Sequence, residues 1–495
     1  MNNKIKKVVV LGGGTAGWMS ASLLKKILGN AVDIELIESE MIGTVGVGEA
    51  SIPPIKTFND VLGINEAEFL RETKATIKLA IKFENWKEQG HQYYHTFGAS
   101  GSSLAFCQFH HLLKKVGQLE DDSNLWQYDL NYLALQAGKF SHIKSQNPII
   151  QLPYAYHFDA TLYSKFLRGF SEKLGVKRTE GMVNRVKQFT KTGFIESLEL
   201  QGGQIIEGDL FIDCSGFKGL LIQQTLNTGY EDWSHWLQCD RAIAVPSERF
   251  EKTNPYTRSI AHSAGWQWRI PLQHRNGNGI VYSSTHCSDD EAASILLNNL
   301  DTQALGDPNF IKFQTGRRYK QWHKNVISVG LSSGFLEPLE STSIHLIQSA
   351  VVRLIHLFPH QGINDVDIKE YNKQSKTEYE QIRDFIILHY SVNQRSDSLF
   401  WQEMQHLDIP SSLAHKIELF KESGRLFKEQ DDLFQDSSWL QVMLGQGIIP
   451  KDYHPIANNI SNVQLNEMLN KVKAIKNEPI SKLLAHDEFL KQYCK

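Results

Sequence analysis

The sequence contains few cysteines, five in 495 residues, and no two of them are spaced as zinc ligands would be. Their odd number and wide scatter also argue against a disulfide framework, so we expect a reducing, cytoplasmic compartment. There are 19 histidines, but none belongs to a His-Glu-x-x-His helix motif. We therefore predict no metal site.

The chain also lacks an excess of positive charge and a long apolar run. Its net charge is -3, which argues against a nucleic-acid partner. No apolar stretch approaches the roughly 20 residues of a membrane helix. The basic N-terminus leads only into the short run Val8–Leu11, which we interpret as a first strand and not a signal peptide. The sequence thus predicts a globular protein with neither nucleic-acid nor membrane partners.

A strand–loop–helix–strand unit is predicted at the very N-terminus. The apolar run in Lys6–Leu11 is typical of a buried parallel strand. A glycine-rich turn follows at residues 12–17, then a helix, and then a second strand over Asp33–Ile37 that ends at Glu38.

This turn carries the Gly-x-Gly-x-x-Gly spacing of a dinucleotide site. Gly12 permits a tight turn, Gly14 lets a pyrophosphate approach the backbone, and Gly17 lets the helix pack closely on the strand. The helix N-terminus adds free N–H groups and positive potential. Glu38 follows about 20 residues later, where an acid binds a ribose hydroxyl. A glycine-rich turn alone would not explain that acid, so we predict dinucleotide binding.

The segment Gly265–Pro271, Gly-Trp-Gln-Trp-Arg-Ile-Pro, predicts a strand whose two tryptophans share one face. Taken alone, it indicates core packing. Together with the dinucleotide motif, it resembles the flavin-dependent halogenases of the tryptophan halogenase type. In that family the segment lies beside the flavin and keeps organic substrate away from it. The resemblance assigns this role to Trp266, Trp268, Ile270 and Pro271.

Two further segments resemble flavin contacts of this family and favour FAD over NAD. Residues 46–53 are similar to its Gly-x-Gly-Glu-Ala-x-Ile-Pro strap, and residues 213–219 to a second flavin-contacting loop. The cofactor-binding residues predicted from the motif and the resemblance are Gly12, Gly14, Thr15, Ala16, Gly17, Glu38, Gly48, Glu49, Ala50, Asp213, Gly330 and Leu336.

A third signature spans residues 334–343, Gly-Phe-Leu-Glu-Pro-Leu-Glu-Ser-Thr-Ser. Ser341 or Thr342 is placed to cap a helix that begins near Ile344. In the family, two backbone amides here hold the halide, and the matching positions are Thr342 and Ser343. Glu340 matches the active-site carboxylate, although an isolated acid here would indicate only a favourable helix-dipole contact.

Lys78 lies in an alternating segment, residues 77–83, that predicts one strand with an apolar face and a lysine face. Such a lysine face usually contacts solvent. However, residues 77–86 resemble the family segment that carries the catalytic lysine, and Lys78 takes that position. If this face lines a tunnel, partial desolvation would make the amine more easily neutral and nucleophilic.

Residues 95–98, His-Thr-Phe-Gly, resemble a His-Pro-Phe-Gly turn whose His and Phe sandwich the substrate ring. The resemblance makes His95 and Phe97 substrate-binding residues, although both could equally be core side chains. Residues 439–447 and 453–455 do not reproduce the paired tyrosines and carboxylate with which family members clamp free tryptophan. We therefore expect an uncharged, electron-rich aromatic substrate of the indole type.

The predicted fold is α/β: a GxGxxG FAD-binding core with mixed sheets over residues 1–360, and a largely helical region over 361–495 that covers the substrate pocket. The resemblance implies that FADH2 from a separate NAD(P)H-dependent flavin reductase, O2 and chloride or bromide yield hypohalous acid, which Lys78 receives. Alternatives are a flavin-dependent aromatic monooxygenase and a non-catalytic flavin-binding protein. The oligomeric state stays open, with a homodimer as the state considered.

Overall fold

The computed structural model describes residues 4–42, 48–121 and 123–494. The chain forms two compact units, each built from three separate stretches. The first unit comprises Met1–Ala75, Phe158–His235 and Phe313–Tyr379. The second comprises Thr76–His157, Trp236–Lys312 and Glu380–Lys495. Both contain strands and helices, and the predicted α/β class is confirmed.

The first unit is organised around a six-stranded sheet. Its strands, in spatial order, are Trp322–His323, Val326–Ser328, Leu210–Asp213, Lys7–Leu11, Asp33–Glu38 and Lys177–Glu180. All neighbours are parallel except the edge strand Trp322–His323. Val8, Val9 and Val10 are fully buried because a central parallel strand is covered on both faces.

Two smaller sheets and several helices complete the first unit. The sheets consist of Val183–Gln188, Ile195–Leu200 and Ile205–Glu207, and of Tyr230–Asp232, Gly316–Arg318 and Gly334–Phe335. Val9, Phe211 and Val326 of the large sheet form one apolar core with Leu198 of the first small sheet. Helix Thr15–Leu28 packs against the helices Ala160–Lys173 and Ser343–His356. This packing sets the glycine-rich turn beside the start of the later helix.

The second unit is organised around a seven-stranded sheet. Its strands, in spatial order, are Asn309–Lys312, Arg241–Glu248, Arg275–Tyr282, Gly265–Pro271, Tyr256–His262, Ala80–Glu84 and Gln92–Thr96. All neighbours are antiparallel except Tyr256–His262 with Ala80–Glu84. Thr76–Lys78 pairs separately with Ala155–Asp159.

The remaining elements are mainly helices. The α-helices are Thr15–Leu28, Pro54–Leu62, Glu66–Glu72, Phe109–Lys115, Ser123–Trp126, Leu130–Gln136, Ala160–Lys173, Asp289–Asn298, Ser343–His356, Asp365–Ser391, Leu399–Gln405, Ser411–Ser423, Asp436–Gly445, Asn462–Asn477 and His486–Tyr493. The other strands are Gly48–Ala50, Lys139–Phe140 and Leu484–Ala485. Within the described part of the chain, no helix has the length and apolar character needed to cross a membrane.

Candidate active site

The glycine-rich turn has the geometry that its sequence predicts. Gly12 has φ +114°, and a Cβ there would lie 2.3 Å from the carbonyl oxygen of Cys214. A Cβ at Gly17 would lie 1.8 Å from the carbonyl oxygen of Gly12, so helix and loop can meet only without a side chain. Gly14 is the N-cap of helix Thr15–Leu28, and the first turn contains no acidic residue. The N–H groups of this first turn can therefore donate hydrogen bonds to a phosphate.

Glu38 ends the second strand next to this turn. Its carboxylate accepts hydrogen bonds from Trp18 Nε1 at 3.3 Å and from Arg178 Nε at 2.5 Å. Each carboxylate oxygen has two lone pairs, which leaves room for a ribose hydroxyl. A Cβ at Gly13 would lie 1.5 Å from Glu38 Oε2. Sequence reasoning missed Gly13, a variable position of the motif, although the unbroken glycine triplet was a usable signal.

The loop after Leu210–Asp213 is held by a buried carboxylate. Asp213 accepts hydrogen bonds from Ser215 Oγ at 2.5 Å and from the backbone N–H groups of Leu221 and Ile222, both at 2.8 Å. Asp213 therefore orders the loop that follows its strand. A Cβ at Gly330 would lie 2.9 Å from Ala16 Cβ, so the loop after strand Val326–Ser328 lies close to the first turn of helix Thr15–Leu28.

The strap predicted over residues 46–53 is partly described. Gly46 and Val47 lie outside the described residues, whereas Gly48–Ala50 forms a short strand. Burial raises the pKa of the Glu49 carboxyl to about 7. Because the Glu49 carboxyl is partly protonated near pH 7, it would repel an anionic cofactor less than a fully ionised carboxylate would.

Another helix N-terminus of the first unit, that of Ser343–His356, lies at the positions predicted to hold the halide. Helix Ser343–His356 has Thr342 at its N-cap, no acidic residue in its first turn, and Ser341 before it in the left-handed region at φ 59°. Thr342 lies at the N-cap, one of the two predicted positions, but its side chain makes no cap hydrogen bond. Thr342 Oγ1 is instead buried without a partner among the described residues. The backbone amides of Thr342 and Ser343 are thus open to an anion.

The segment before this helix carries the predicted carboxylate. Glu340 ends the short 3-10 helix Pro338–Glu340 and is 1% exposed. Leu336 is buried two residues before the proline. Glycine-enforced close packing, two acid-free helix N-termini and a buried carboxylate together fit a flavin dinucleotide with an adjacent anion.

In the second unit, Lys78 is fully buried. The predicted single strand over residues 77–83 is broken at Leu79, whose N–H donates to Pro255 O at 2.7 Å and whose carbonyl accepts from Phe97 N–H at 3.1 Å. Lys78 therefore ends one strand, and Lys82 belongs to another, where it pairs with Glu84 at 3.6 Å. The lysine face is not a solvated face. Lys78 Nζ lies 5.3 Å from the Phe97 ring centroid.

Two buried histidines border the Lys78 strand, and sequence reasoning found neither. Thr76 Oγ1 donates to Pro271 O at 2.7 Å, so His157 Nδ1 must donate to Thr76 Oγ1, at 3.0 Å. His486 Nε2 accepts from Ile77 N–H at 3.2 Å. Burial lowers the pKa of both imidazoles, and the Lys78 charge lowers the pKa of His157 further. Both rings are therefore neutral.

The tryptophan strand Gly265–Pro271 is buried along its whole length. The rings of Trp266 and Trp268 lie 6.1 Å apart. A Cβ at Gly279 would lie 2.0 Å from the Trp268 ring, so that glycine makes room for the indole. The carbonyl of Pro271 accepts the Thr76 hydrogen bond, which ties the end of this strand to the strand of Lys78. Ile270 is also buried.

His95 and Phe97 flank Thr96 at the end of strand Gln92–Thr96. His95 is buried, with its ring 5.6 Å from Phe385 and 6.2 Å from Phe434. Phe97 is half-buried and faces the Lys78 ammonium group. The structure thus brings Lys78 together with one of the two predicted substrate-binding rings.

Comparison with known proteins adds independent information. A family model described as tryptophan halogenase matches residues 7–462. Xcc4156, a flavin-dependent halogenase from Xanthomonas campestris, is 47% identical with a TM-score of 0.96 and 99% of each chain covered. BrvH, a flavin-dependent halogenase from Brevundimonas sp. BAL3, is 39% identical with a TM-score of 0.95 and 100% of each chain covered. Tryptophan 7-halogenase RebH from Lentzea aerocolonigenes is 35% identical, with 99% of each chain covered.

Proposed function

The chain belongs to the tryptophan halogenase family and is a flavin-dependent halogenase, and from that premise we propose that it halogenates an uncharged, electron-rich aromatic compound of the indole type. The observation that carries the proposal is the position of Lys78, fully buried with its ammonium group 5.3 Å from the Phe97 ring. An amine in this position can hold an electrophilic halogen next to an aromatic substrate.

Each unit contributes residues with distinct roles. In the first, Gly12, Gly14 and Gly17 admit the dinucleotide, and Glu38 binds its ribose. When bound, FADH2 from a separate NAD(P)H-dependent reductase would supply the electrons that activate O2, and O2 would be the oxidant that converts halide to hypohalous acid. The amides of Thr342 and Ser343 hold chloride or bromide at a helix N-terminus, where partial positive charge favours an anion.

The remaining roles concern the electrophile and the ring. Lys78 hydrogen-bonds hypohalous acid or forms a haloamine with it, which releases water. The aromatic carbon bonds to the halogen as the bond from the halogen to the lysine nitrogen or to the oxygen of hypohalous acid breaks. The ring then loses a proton, and Glu340 orients the electrophile or accepts that proton. Trp266, Trp268, Ile270 and Pro271 keep organic substrate from the flavin.

The proposed preference for indole rests on the side chains around residues 95–98 and on the sequence of the C-terminal region. The rings near His95 are those of Phe385 and Phe434, which suit a flat apolar ring. The paired tyrosines and acid that would hold an amino-acid zwitterion are missing from residues 439–447 and 453–455. Burying an ammonium and a carboxylate without partners costs several kcal/mol.

The test uses purified enzyme, FAD, NADH and a separate flavin reductase, with chloride, bromide or no added halide. We expect halogenated products only with halide, and a higher kcat/KM for indole than for tryptophan. Oxygenated products without halide would instead indicate a monooxygenase, and no product with any aromatic would indicate a non-catalytic flavin-binding protein. A higher kcat/KM for tryptophan would overturn the substrate assignment alone.

A further inference from the structure

One buried glutamine of the C-terminal helices holds the turn His95–Gly98. Gln441 lies in helix Asp436–Gly445 and has no exposed surface. Its Oε1 accepts from Thr96 N–H at 2.7 Å. Its Nε2 donates to Thr96 Oγ1 at 3.2 Å and to Gly98 O at 3.3 Å. Both protons of the amide and one of its oxygen lone pairs are therefore used on this turn.

The hydroxyl of the same threonine has a second buried partner. Thr96 Oγ1 donates to Asp129 Oδ2 at 2.6 Å. Asp129 in turn caps helix Leu130–Gln136 by accepting from Asn131 N–H at 2.8 Å. Lys476 donates to Ala99 O at 3.1 Å, just beyond the turn. The turn is thus fixed on the side opposite to the His95 and Phe97 rings, because successive strand residues point to opposite faces.

The position of Thr96 explains why its N–H is available. Gln92–Thr96 is an edge strand of the seven-stranded sheet, and Thr96 lies opposite Ala80. Its N–H bonds to Gln441 and takes no part in the ladder. Edge positions of this kind tolerate proline, which has no N–H to donate. The His-Pro-Phe-Gly turn that this segment resembles has proline here, whereas in this chain the Thr96 N–H is present and donates to Gln441 Oε1.

We infer that Gln441 is a positioning residue for the aromatic substrate: it fixes the backbone of residues 96–98 and thereby the orientation of His95 and Phe97. This inference rests on the proposed function, which makes those two rings the substrate contacts. Gln441 does not touch the substrate. Substitution of Gln441 would change how the aromatic ring of the substrate is held, and therefore which ring carbon meets the electrophile.

The test begins with Gln441→Leu in the full-length, FAD-loaded enzyme with its reductase. We expect FAD affinity and the release of hypohalous acid to a freely diffusing acceptor to stay as in the wild type. KM for indole should rise tenfold or more, with a smaller change in kcat, and a substituted indole should give a broader mixture of halogenated isomers. Unchanged KM and isomer ratio in a folded variant would overturn the inference.

A double-mutant cycle separates positioning by this hydrogen bond from a general loss of packing. Thr96→Pro removes the N–H and leaves Gln441 Oε1 without its donor in a buried place, which is costly. The double variant Thr96→Pro/Gln441→Leu removes both partners, so its loss in kcat/KM should be clearly smaller than the product of the single losses. Multiplicative losses would contradict the pairing.

Gln446→Leu is the matched control. Gln446 is equally buried but donates to His389 O at 2.9 Å and to Tyr93 Oη at 3.3 Å, and not to the backbone of residues 95–98. Combined with Thr96→Pro, its effect should multiply without coupling, and coupling as large as that of Gln441 would overturn the assignment. Wild-type enzyme that fails to halogenate would refute the proposed function; a halogenating wild type with insensitive Gln441 variants refutes this inference only.

Discussion

Lys78 has a side chain that is shielded from solvent. It is fully buried, and the two histidines that border its strand, His157 and His486, are held neutral by burial. Their tautomers are fixed by hydrogen bonds to Thr76 and to Ile77. The site therefore contains one lysine amine and no second cation from these imidazoles, which suits an amine that reacts with an electrophile.

Lys78→Ala should abolish halogenation while the oxidation of bound FADH2 by O2 continues, because the amine acts after the flavin chemistry. Product formation and O2 consumption, measured in the same reaction, check this expectation. Lys82→Ala is the matched control, because Lys82 lies four residues away and is paired with Glu84. A Lys78→Ala variant with the wild-type rate and the same product isomer would remove Lys78 from the mechanism.

Glu340→Gln tests the buried carboxylate. The substitution keeps the shape but removes the ability to accept a proton, so turnover should fall by roughly 10²-fold or more, the usual scale for a positioned acid–base group. FAD affinity should stay unchanged, because Glu340 is assigned to the aromatic ring and its electrophile. If FAD affinity falls instead, Glu340 is a structural acid of the helix start. Single-turnover halogenation and FAD titration distinguish the two outcomes.

At the scale of elements, the structure of the glycine-rich turn predicts an effect of substituting Gly13, which is a variable position of the sequence motif. Gly13→Ala should weaken FAD binding at least tenfold, about 1.4 kcal/mol, because the new methyl group would lie 1.5 Å from Glu38 Oε2 and 2.4 Å from its Cβ. Fluorescence titration of FAD measures the effect.

Gly169→Ala provides the control, since nothing lies within 4 Å of a Cβ there and the residue is in a helix. Its FAD affinity should match the wild type. Equal affinity of the Gly13→Ala variant would show that Glu38 does not need its present position.

Elements with a strong local pattern were predictable from the sequence. The N-terminal strand, helix and strand lie where the apolar run, the glycines and Glu38 indicated. The prediction of one strand over residues 77–83 was wrong, because alternating apolar residues indicate a strand but do not show whether it belongs to one sheet or is divided between two. Thr76–Lys78 pairs with Ala155–Asp159 in one sheet, whereas Ala80–Glu84 belongs to the seven-stranded sheet, and Leu79 lies between them.

Several site residues lacked any signal in the sequence. His486 reaches Ile77 across 409 residues and Gln441 reaches Thr96 across 345. A single histidine or glutamine belongs to no sequence pattern, so the sequence does not indicate a contact with a residue hundreds of positions away. The helix predicted to begin near Ile344 begins at Ser343 with Thr342 at its N-cap, but Ser341 adopts a left-handed backbone and Thr342 Oγ1 makes no cap hydrogen bond. The predicted boundary at residue 360 and the assigned roles of the site residues remain predictions.

At the scale of the whole molecule, buried neutral histidines make stability depend on pH. Burial lowers the pKa of His110 to about 4, and its Nε2 donates to Gly424 O. Below about pH 6.5 the His110 imidazole is protonated in the unfolded chain, whereas in the folded protein it is protonated only below about pH 4. Stability from this group is therefore complete above pH 6.5 and is lost at about 1.4 kcal/mol per pH unit as the pH falls.

His110→Gln tests this sign. Glutamine keeps a donor for Gly424 but does not titrate, so the unfolding free energy of the wild type should fall relative to the variant between pH 6.5 and pH 4. Urea unfolding at a series of pH values measures the difference. A constant difference across this range would mean that His110 takes up its proton equally in both states.

The order of strands in the six-stranded sheet also has a consequence for synthesis. Lys7–Leu11 lies between Asp33–Glu38 and Leu210–Asp213, and the latter lies beside Val326–Ser328. A ribosome adds about 5–20 residues per second, so roughly 10 to 40 seconds separate the first strand from its neighbour at Leu210. Until then the nascent chain carries an apolar strand with one open edge, a form that chaperones bind. The sheet is complete only after Val326–Ser328, about two thirds of the way along the polypeptide, has been translated.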